Sequence, residues 1–256
     1  MSTEDKKMKE NVLITGASSG LGKQMAMEFA SRGYNLALTA RREEVLVSVK
    51  QEIEQTYKVK VFIGVLDVLD FEQTKKVFAA AAAELGGIDK IIANAGVGYD
   101  DFIGSVDAFK NARAMIDTNV TGAIATVEAA VLLFRRQNRG HIITVSSVAS
   151  FRGFPGSSAY SASKSAISTY SEALRAETYK ENIDVTVLSP GYIDTPINQH
   201  VSSRPFLIDL ERGGKILVSL IEKKVKRSMV PPWPWGIVAR IMAILPTAII
   251  ARAFSQ

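Results

Sequence analysis

Between residues 12 and 22 the chain reads Val12-Leu13-Ile14-Thr15-Gly16-Ala17-Ser18-Ser19-Gly20-Leu21-Gly22, an apolar run that passes directly into a glycine-rich turn. Residues 12–15 are typical of a buried strand, and a helical pattern follows over 20–31. Gly16 allows a sharp turn, Gly20 lets the backbone approach a pyrophosphate, and Gly22 permits close packing of the helix on the strand. The helix N-terminus offers free N–H groups and positive dipole to phosphates. The stretch therefore predicts a dinucleotide-binding strand–turn–helix unit, although its Gly-x-x-x-Gly-x-Gly spacing differs from Gly-x-Gly-x-x-Gly.

The same alternation of short β-branched runs and longer helical patterns continues along the chain. It is typical of repeated βαβ units and predicts an α/β fold: a Rossmann-like doubly wound parallel sheet flanked by helices, in a single domain. The strand runs are nearly continuous in apolar residues, as strands buried on both faces are. The predicted strands are 12–15, 35–39, 59–65, 90–93, 141–146 and 184–189, and the predicted helices are 20–31, 43–55, 71–85, 107–136 and 160–179.

Three regions differ in composition. Residues 1–9 form a polar lead that we expect to be disordered and not a secretory signal, because no apolar segment follows it. Residues 10–230 form the predicted dinucleotide-binding catalytic domain, which ends in a helix over 214–225 and a strand over 226–230. Residues 231–256 form an apolar, helical C-terminal extension. No window reaches about 18 uninterrupted apolar residues, so no transmembrane helix is predicted.

Composition excludes several chemistries. The 256 residues include no cysteine and only two histidines, which excludes disulfides, thiolate metal sites and a three-histidine zinc site. We therefore expect no metal. The net charge is +5, with about +6 over residues 201–256 and −1 over residues 1–200. No nucleic-acid motif accompanies this modest charge, so we expect no nucleic-acid partner. The absence of cysteine is compatible with the cytoplasm, which we take as the expected location.

Further motifs stand in order at predicted strand ends and helix faces. They are Asn94-Ala95-Gly96 after the fourth strand, Asn119 on the next helix, Ser146-Ser147 at the end of the fifth strand, Tyr160 and Lys164 as Tyr-x-x-x-Lys, and Pro190-Gly191 after the sixth strand. With the glycine turn, they resemble the short-chain dehydrogenase/reductase family over about residues 11–195. The resemblance implies hydride transfer with a nicotinamide dinucleotide, and a catalytic role for Asn119, Ser147, Tyr160 and Lys164.

Tyr160 and Lys164 are four residues apart and share one helix face. An ammonium there is expected to lower the tyrosine pKa, so that Tyr160 exchanges a proton with the substrate oxygen. Ser147 lies 13 residues before Tyr160, the usual separation in the family, and is favoured over Ser146 for holding that oxygen, since strand alternation separates the two side chains. The resemblance implies that Lys164 also bonds the nicotinamide ribose and that Asn119 kinks its helix around a water and relays protons.

The second predicted strand ends in Thr39-Ala40-Arg41-Arg42. A carboxylate there would favour NAD, whereas arginine accommodates a 2′-phosphate, so we predict NADP(H), with Arg41 as the stronger ligand and Ser18 adding a hydroxyl. The alternative is a pair of solvated arginines. The resemblance adds Asp67 at the adenine, and Ile193 and Thr195 at the carboxamide. The predicted cofactor-binding residues are Gly16, Ser18, Ser19, Gly20, Leu21, Gly22, Arg41, Arg42, Asp67, Val68, Asn94, Ala95, Gly96, Tyr160, Lys164, Pro190, Gly191, Ile193 and Thr195.

The C-terminal extension combines Trp233 and Trp235 with an apolar run over 237–250 and two arginines, and a basic run over 223–227 precedes it. These are the ingredients of peripheral contact with an anionic membrane surface. The alternatives are a lid over the substrate crevice or a contact with a second subunit, with Pro246 bending the helix. We expect a homodimer or homotetramer.

The sequence thus predicts an NADP(H)-dependent oxidoreductase of the alcohol dehydrogenase or carbonyl reductase type, with Tyr160 as acid and base. Aromatic and apolar residues in loops predicted around the crevice suggest an apolar, lipid-like carbonyl or alcohol substrate. Two other readings remain: a non-catalytic dinucleotide sensor or membrane-associated scaffold, and a sugar-nucleotide epimerase or dehydratase, which the short chain disfavours. The loop residues are Tyr99, Phe151, Phe154, Tyr192, Phe206, Leu207 and Ile208.

Overall fold

The computed structural model describes residues 10–199, 201 and 203–254, so the predicted disordered lead over 1–9 lies outside the described residues. Within the described ranges, seven parallel strands form one sheet in the order β3-β2-β1-β4-β5-β6-β7. The predicted α/β, doubly wound fold in a single domain is confirmed. The strands are β1 Asn11–Thr15, β2 Asn35–Ala40, β3 Val61–Val65, β4 Lys90–Ala93, β5 Gly140–Val145, β6 Ile183–Pro190 and β7 Arg227–Val230.

Helices cover both faces of the sheet. α1, α2 and α7 pack on one face, and α3, α5 and α6 on the other. Strand alternation explains the two cores, because Val12 and Ile14 of β1 point to the first face and Leu13 to the second. The helices are α1 Gly20–Ser31, α2 Glu43–Thr56, α3 Phe71–Leu85, α4 Ala108–Ile116, α5 Ala123–Gln137, α6 Ser158–Glu177, α7 Leu210–Glu222, α8 Pro232–Ile244 and α9 Thr247–Phe254.

The strand order reverses between β1 and β4, because β2 and β3 lie to one side of β1 and the later strands to the other. In open α/β sheets a ligand crevice forms beyond the carboxyl ends of the strands at such a switch point. The loops after β1 and β4 carry the glycine turn and Asn94-Ala95-Gly96. The fold therefore brings two of the predicted motifs to the same edge of the sheet.

Several predicted element bounds are corrected by the structure. β3 begins at Val61 and not at residue 59, and as an edge strand it is only partly buried. The predicted helix over 107–136 is interrupted by a π-helical turn, Asp117–Gly122, between α4 and α5. α7 begins at Leu210 and not at residue 214, because the Asp209 side chain caps it by accepting a hydrogen bond from the Arg212 N–H. α7 also ends at Glu222 and not at residue 225, and the other predicted bounds agree within two residues.

One helical segment, Ala108–Gln137, is long and apolar enough to cross a membrane by length and composition alone. It comprises α4, the π-helical turn and α5. Its residues Val127, Ala130 and Phe134 are buried in the core between the sheet and α3. The apolar residues of α5 are thus partly explained by this packing against the sheet.

The C-terminal extension folds into two helices. α8 packs against β7 and against a 3₁₀ turn, Val148–Phe151, which follows β5. A break at Leu245–Pro246 separates α8 from α9, at the predicted bend. The Arg152 guanidinium donates a hydrogen bond of 3.1 Å to the Thr247 hydroxyl at the start of α9. The extension therefore lies beside the loop that joins β5 to α6.

Candidate active site

A crevice of about 310 Å³ lies at the carboxyl edge of the sheet. The loops after β1, β2, β3, β4, β5 and β6 all contribute to its lining, together with the start of α6. It contains every predicted cofactor residue except Gly22, and the predicted catalytic residues except Asn119. Those residues are Gly16, Ser18, Ser19, Gly20, Leu21, Arg41, Arg42, Asp67, Val68, Asn94, Ala95, Gly96, Ser147, Tyr160, Lys164, Pro190, Gly191, Ile193 and Thr195.

The glycine turn has no room for side chains at two positions. Gly16 has a φ of +68°, and a Cβ there would lie 2.8 Å from the Ala95 Cα. Gly22 does not line the crevice, but a Cβ on it would lie 2.3 Å from the Gly16 carbonyl oxygen. Its role is therefore the predicted close packing of α1 under the turn.

The turns after β1 and β4 are joined by hydrogen bonds. The Thr15 hydroxyl accepts bonds from the backbone N–H groups of Asn94 and Ala95, at 3.1 and 3.2 Å. The Asn94 side-chain amide donates to the Thr15 carbonyl at 2.9 Å. Asn94 therefore holds the two walls of the crevice together and leaves the Gly96 backbone open to it.

Positive charge lies where β2 ends. Arg41 and Arg42 are exposed and line the crevice, and the Arg42 guanidinium donates a hydrogen bond of 3.0 Å to the Ser18 hydroxyl in the glycine turn. Asp67 and Val68, which follow the neighbouring strand β3, also line the crevice. Arg41, Arg42 and Ser18 supply guanidinium and hydroxyl donors that can bind an anion at this end of the crevice.

Ser147 and Tyr160 meet at the other end of the crevice. Both side chains line the crevice there; the Ser147 hydroxyl donates to the Pro190 carbonyl at 3.4 Å and accepts a bond from the Ala149 N–H at 3.1 Å. The Ser146 hydroxyl instead donates to the Lys164 carbonyl oxygen at 2.9 Å and contacts the Ser168 hydroxyl, inside the domain. Strand alternation therefore leaves Ser147 facing the crevice beside the phenol.

Lys164 is buried beneath Tyr160. Its Nζ donates a hydrogen bond of 3.0 Å to the Val145 carbonyl and lies 5.7 Å from the centroid of the Tyr160 ring. Burial lowers the pKa of Lys164 to about 8, because a charged ammonium is disfavoured away from water. The lysine stays close to its titration point near neutral pH.

The pKa of Tyr160 shifts opposite to the sequence-based expectation. Burial raises the pKa, and the neighbouring Ser147 side chain opposes this rise only in part. The expected lowering by Lys164 is wrong for this arrangement, because the ammonium bonds the Val145 carbonyl rather than the phenol oxygen. Tyr160 is therefore a protonated donor at neutral pH.

Asn119 lies in the π-helical turn, behind the crevice. Its Oδ1 accepts from the Val97 N–H and its Nδ2 donates to the Val97 carbonyl, both at 2.8 Å. Nδ2 also donates to the Ser163 hydroxyl at 3.1 Å. A Cβ at Gly96 would lie 3.0 Å from the Asn119 Oδ1 and 3.5 Å from the Lys164 Nζ. Asn119 thus ties the loop after β4 to α6, at the level of the lysine.

Several lining residues were not predicted from the sequence. They include Val97, Thr118, Ile197 and Asn198. No local motif marks them, because they reach the crevice through the course of loops. Of the loop residues expected around the crevice, none lines it; Tyr99 lines a separate cavity of about 230 Å³ with Ile103, Phe109 and Met115. Correcting that expectation, Ile208 pairs with Ile193, and Tyr192 and Phe206 pack on Trp235.

Trp235 of α8 is the main contribution of the C-terminal extension to this region. Its indole lies so close to Gly191 that a Cβ there would be 2.1 Å from Nε1. The ring also packs edge-on against Phe206, with centroids 5.6 Å apart. The extension therefore supports the loop after β6 from behind.

The crevice fits a nicotinamide dinucleotide. Its glycine turn leaves space for a pyrophosphate at the N-terminus of α1, and the arginines lie at the end of β2, where such ligands place the adenosine ribose. Tyr160, Ser147 and Lys164 lie at the opposite end, together with Pro190 and Gly191. Polar groups that could orient a dinucleotide and a reacting oxygen thus lie along one crevice.

Comparison with known proteins agrees with this geometry. Residues 10–205 match the family model described as short chain dehydrogenase. An uncharacterised oxidoreductase of Mycobacterium tuberculosis is 42% identical over 246 residues, covering 95% of this chain and 97% of that protein. An uncharacterised oxidoreductase of Myxococcus xanthus is 36% identical, covering 94% of each chain.

Two solved structures share the fold. An alcohol dehydrogenase from Thermococcus sibiricus, complexed with 5-hydroxy-NADP, superposes with a TM-score of 0.78 at 26% identity, covering 87% of this chain and 96% of that one. A short-chain type dehydrogenase/reductase from Mycobacterium marinum gives a TM-score of 0.80 at 27% identity, covering 87% and 94%. The chain is an oxidoreductase that belongs to the short-chain dehydrogenase/reductase family.

Proposed function

We propose that this oxidoreductase transfers a hydride between NADP(H) and a carbonyl or alcohol group of an apolar substrate. The observation that carries the proposal is the placement of Tyr160 and Ser147 in one crevice with the buried Lys164, whose Nζ lies 5.7 Å from the centroid of the Tyr160 ring. A phenol kept protonated by burial is suited to give its proton to a carbonyl oxygen. A protein that only binds a dinucleotide would not require a phenol beside Ser147.

The chain's own residues account for the proton and for orientation. When bound, the nicotinamide supplies the hydride in reduction and accepts it in oxidation. Tyr160 donates its hydroxyl proton to the carbonyl oxygen during reduction and takes it back from the alcohol during oxidation. Ser147 holds that oxygen by a hydrogen bond. Lys164 lies beneath the phenol ring, where its ammonium would bond the ribose of the nicotinamide.

The preference for NADP(H) rests on the residues after β2. No carboxylate follows the strand directly, and two guanidinium groups and the Ser18 hydroxyl can bond a 2′-phosphate. The hydrogen bond from Arg42 to Ser18 gives Arg42 a larger share than the sequence suggests. The 5-hydroxy-NADP in the Thermococcus sibiricus alcohol dehydrogenase supports the proposal by analogy.

An apolar substrate is supported by the side chains around Tyr160. Val97, Ile193 and Ile197 line this end of the crevice, and Gly98 packs between Ile197 and the Tyr160 ring. Their apolar atoms would replace water around the substrate carbon and leave the polar donors at a single point. A long-chain aldehyde or ketone fits such a lining.

We further propose a cytoplasmic homo-oligomer. The exposed face of α6 carries Ala162, Ala166 and Ala173, which lie on one side of the helix by their spacing of four and seven residues. Small side chains let a second helix approach closely, and a symmetric contact would repeat the same face on both copies.

The test is a screen of long-chain and short-chain aldehydes and ketones with NADPH, following absorbance of the reduced nicotinamide. We expect Tyr160→Phe to lower kcat at least about a hundredfold, since the proton donor is lost, with NADPH affinity nearly unchanged. Tyr179→Phe, at an exposed tyrosine in the turn after α6, is the matched control and keeps full activity. Tight NADPH binding with no turnover on the panel would favour the non-catalytic sensor instead.

A further inference from the structure

The C-terminal extension is held on the body of the protein by one face. Trp235 and Ala239 of α8 and Ile250 of α9 are buried, at no more than 6% exposure. The bond between Arg152 and Thr247 fixes the start of α9. The extension is therefore a packed part of the domain, and its other face has a defined orientation.

That outer face is apolar. On α8, Ile237, Ile241 and Ile244 are 49%, 49% and 82% exposed, and their spacing of four and three residues puts them on one side of the helix. Trp233 before them and Ile249 after them are exposed as well. A helix that is hydrophobic on all sides is normally found inside a protein core or in contact with lipid. α8 lies at the surface, so one apolar side lacks a cover within the described part of the chain.

The charge of the extension indicates which kind of partner can bind this apolar face. No acidic residue follows Glu222 in the sequence. Arg240 is exposed on α8, and none of the ion pairs found among residues 10–199, 201 and 203–254 includes it. A symmetric contact between two copies through this face would bring like charges together with no acidic group on the extension to pair them. The headgroups of anionic lipids complement the arginine, and their acyl chains complement the isoleucines.

We propose that the outer face of α8 and α9, formed by Trp233, Ile237, Arg240, Ile241, Ile244 and Ile249, binds the surface of a bilayer that contains anionic phospholipid. The isoleucines and the tryptophan enter the boundary between headgroups and acyl chains, and Arg240 stays at the level of the phosphates. The protein binds as a peripheral protein and does not cross the bilayer through this segment.

The proposed surface does not include the basic run over 223–227, because two of its charges are paired within the fold. This run lies at the start of β7, whereas α8 follows the carboxyl end of that strand. Lys224 pairs with Asp184 at 2.6 Å, and Arg227 pairs with Glu172 at 2.7 Å. These two charges are thus paired within the fold, and the Arg227 guanidinium also lies over the Phe151 ring of the 3₁₀ turn, 4.7 Å from its centroid.

The location of the surface bears on the substrate, and this step rests on the proposed function. α8 packs on the 3₁₀ turn that follows Ser147, and its Trp235 lies behind Gly191 of the crevice. A bilayer bound by α8 and α9 would thus lie next to the substrate end of the crevice. An apolar carbonyl compound dissolved in the lipid could enter the crevice from it, without passing through bulk water.

Co-sedimentation of the full chain with sucrose-loaded vesicles tests the surface. One set of vesicles is phosphatidylcholine, and the other is phosphatidylcholine with phosphatidylserine. We expect binding to the mixed vesicles and weaker binding to the neutral ones. Ile241→Asp should lower the partition coefficient at least about tenfold, because it puts a carboxylate into the apolar face. Arg240→Gln should lower binding to the mixed vesicles about fivefold and leave binding to the neutral vesicles unchanged.

Val47→Asp is the matched control, at an exposed aliphatic side chain of α2, and it should leave binding unchanged. The proposal is overturned if neither vesicle binds the protein, or if Ile241→Asp and Val47→Asp bind as the wild type does. A lower sedimenting mass of Ile241→Asp in the absence of lipid, with no vesicle binding by the wild type, would instead assign the face to a contact between copies.

The same samples separate this proposal from the proposed function. NADPH oxidation with a water-soluble short-chain aldehyde reports the crevice alone, and Ile241→Asp should retain it. Vesicle binding without turnover of any carbonyl compound contradicts the proposed function and supports the proposed membrane-binding face. Turnover without vesicle binding contradicts the proposed membrane-binding face and supports the proposed function.

Discussion

At the scale of single residues, Arg41 and Arg42 carry the proposed choice of dinucleotide. Charge-assisted hydrogen bonds contribute about 1.5–3 kcal/mol each, so we expect Arg41→Ala and Arg42→Ala each to weaken NADPH binding roughly ten- to a hundredfold. NADH lacks the 2′-phosphate, and its affinity should hardly change. Calorimetric titration with both nucleotides measures the effect. Arg136→Ala, at an exposed arginine of α5, is the control. Equal affinity of the wild type for NADH and NADPH would contradict the assignment.

His141 carries a pH dependence that is separate from the crevice. It is buried on β5, and its Nε2 lies 2.8 Å from the Thr186 hydroxyl, which donates to the Val225 carbonyl and therefore accepts from the histidine. No hydrogen-bond partner of Nδ1 is found among the described residues. Burial lowers the pKa of His141 to about 4. The imidazole is thus neutral in the folded protein at pH 7.

Because the folded pKa lies below the unfolded value of about 6.5, the unfolded chain binds the proton more tightly. Stability from this group is complete above pH 6.5 and is lost as the pH falls toward 4. Between pH 7 and pH 5 we expect the free energy of unfolding to fall by about 2 kcal/mol from this residue. Urea titrations at both pH values measure it. His141→Gln should have a lower free energy of unfolding at pH 7, but this free energy should fall less between pH 7 and pH 5 than in the wild type. A fall as large as that of the wild type would refute the assignment.

At individual positions, the sequence could predict features that depend on local structure but not those that depend on burial. Ser147 could be chosen over Ser146 because strand alternation is local, and their hydroxyls do lie on opposite sides. The direction of the Tyr160 pKa could not be predicted, because it depends on burial and on the Val145 carbonyl that takes the lysine ammonium. Both are tertiary features that no spacing reveals.

At the scale of elements, α8 and the loop after β6 constrain each other through Trp235 and Gly191. Gly191→Ala would place a methyl group 2.1 Å from the indole Nε1, so we expect a loss of about 1–3 kcal/mol of unfolding free energy. Trp235→Leu in that background should recover part of the loss, because the space is freed. Chemical denaturation of the two single variants and the double variant measures the coupling.

Gly236→Ala provides a matched control for this prediction. It makes the same substitution in α8, where a Cβ would meet nothing within 4 Å. We expect it to be neutral or to stabilise the helix by up to about 1 kcal/mol. Additive effects of Gly191→Ala and Trp235→Leu would show that the two residues do not interact.

Element types were predictable and their interruptions were not. Apolar runs and glycine stops locate the strands and most helices within one or two residues, because these signals are local. The π-helical turn at Asp117–Gly122 lies inside an uninterrupted helical pattern. It is accompanied by the bonds of Asn119 to Val97 and Ser163, which join three separate elements. The periodic pattern of one helix does not show which distant residues form hydrogen bonds with it.

At the scale of the whole molecule, the proposed oligomer has a simple test. Ala166→Arg would put a long charged side chain on the exposed face of α6, and we expect it to lower the sedimenting mass toward the 27.8 kDa monomer. Sedimentation velocity at micromolar concentration measures this. Ala80→Arg, on the exposed side of α3, should sediment as the wild type does. A wild-type protein that already sediments as a monomer would contradict the proposal.

The global architecture was largely predictable because one rule covers it. Strands that alternate with helices form parallel sheets, and the first strand–turn–helix unit identifies the dinucleotide end. The sequence did not decide whether the C-terminal extension is a lid, a subunit contact or a membrane contact. Its contacts in the fold, Gly191, Arg152 and Phe206, are distant in sequence. Long-range packing of a segment with apolar residues on every side cannot be deduced from its own pattern.

The contact between Trp235 and Gly191 also limits how this protein can be recombined with its relatives. The family model ends at residue 205, so the extension looks like a module that could be exchanged between homologues. It is not independent, because the indole fills the space behind a glycine that lies inside the matched region. A chimera that keeps residues 10–205 and receives a tail without a large ring at this position would leave a void under the loop after β6. Tail and catalytic body must therefore be inherited, or engineered, as one unit.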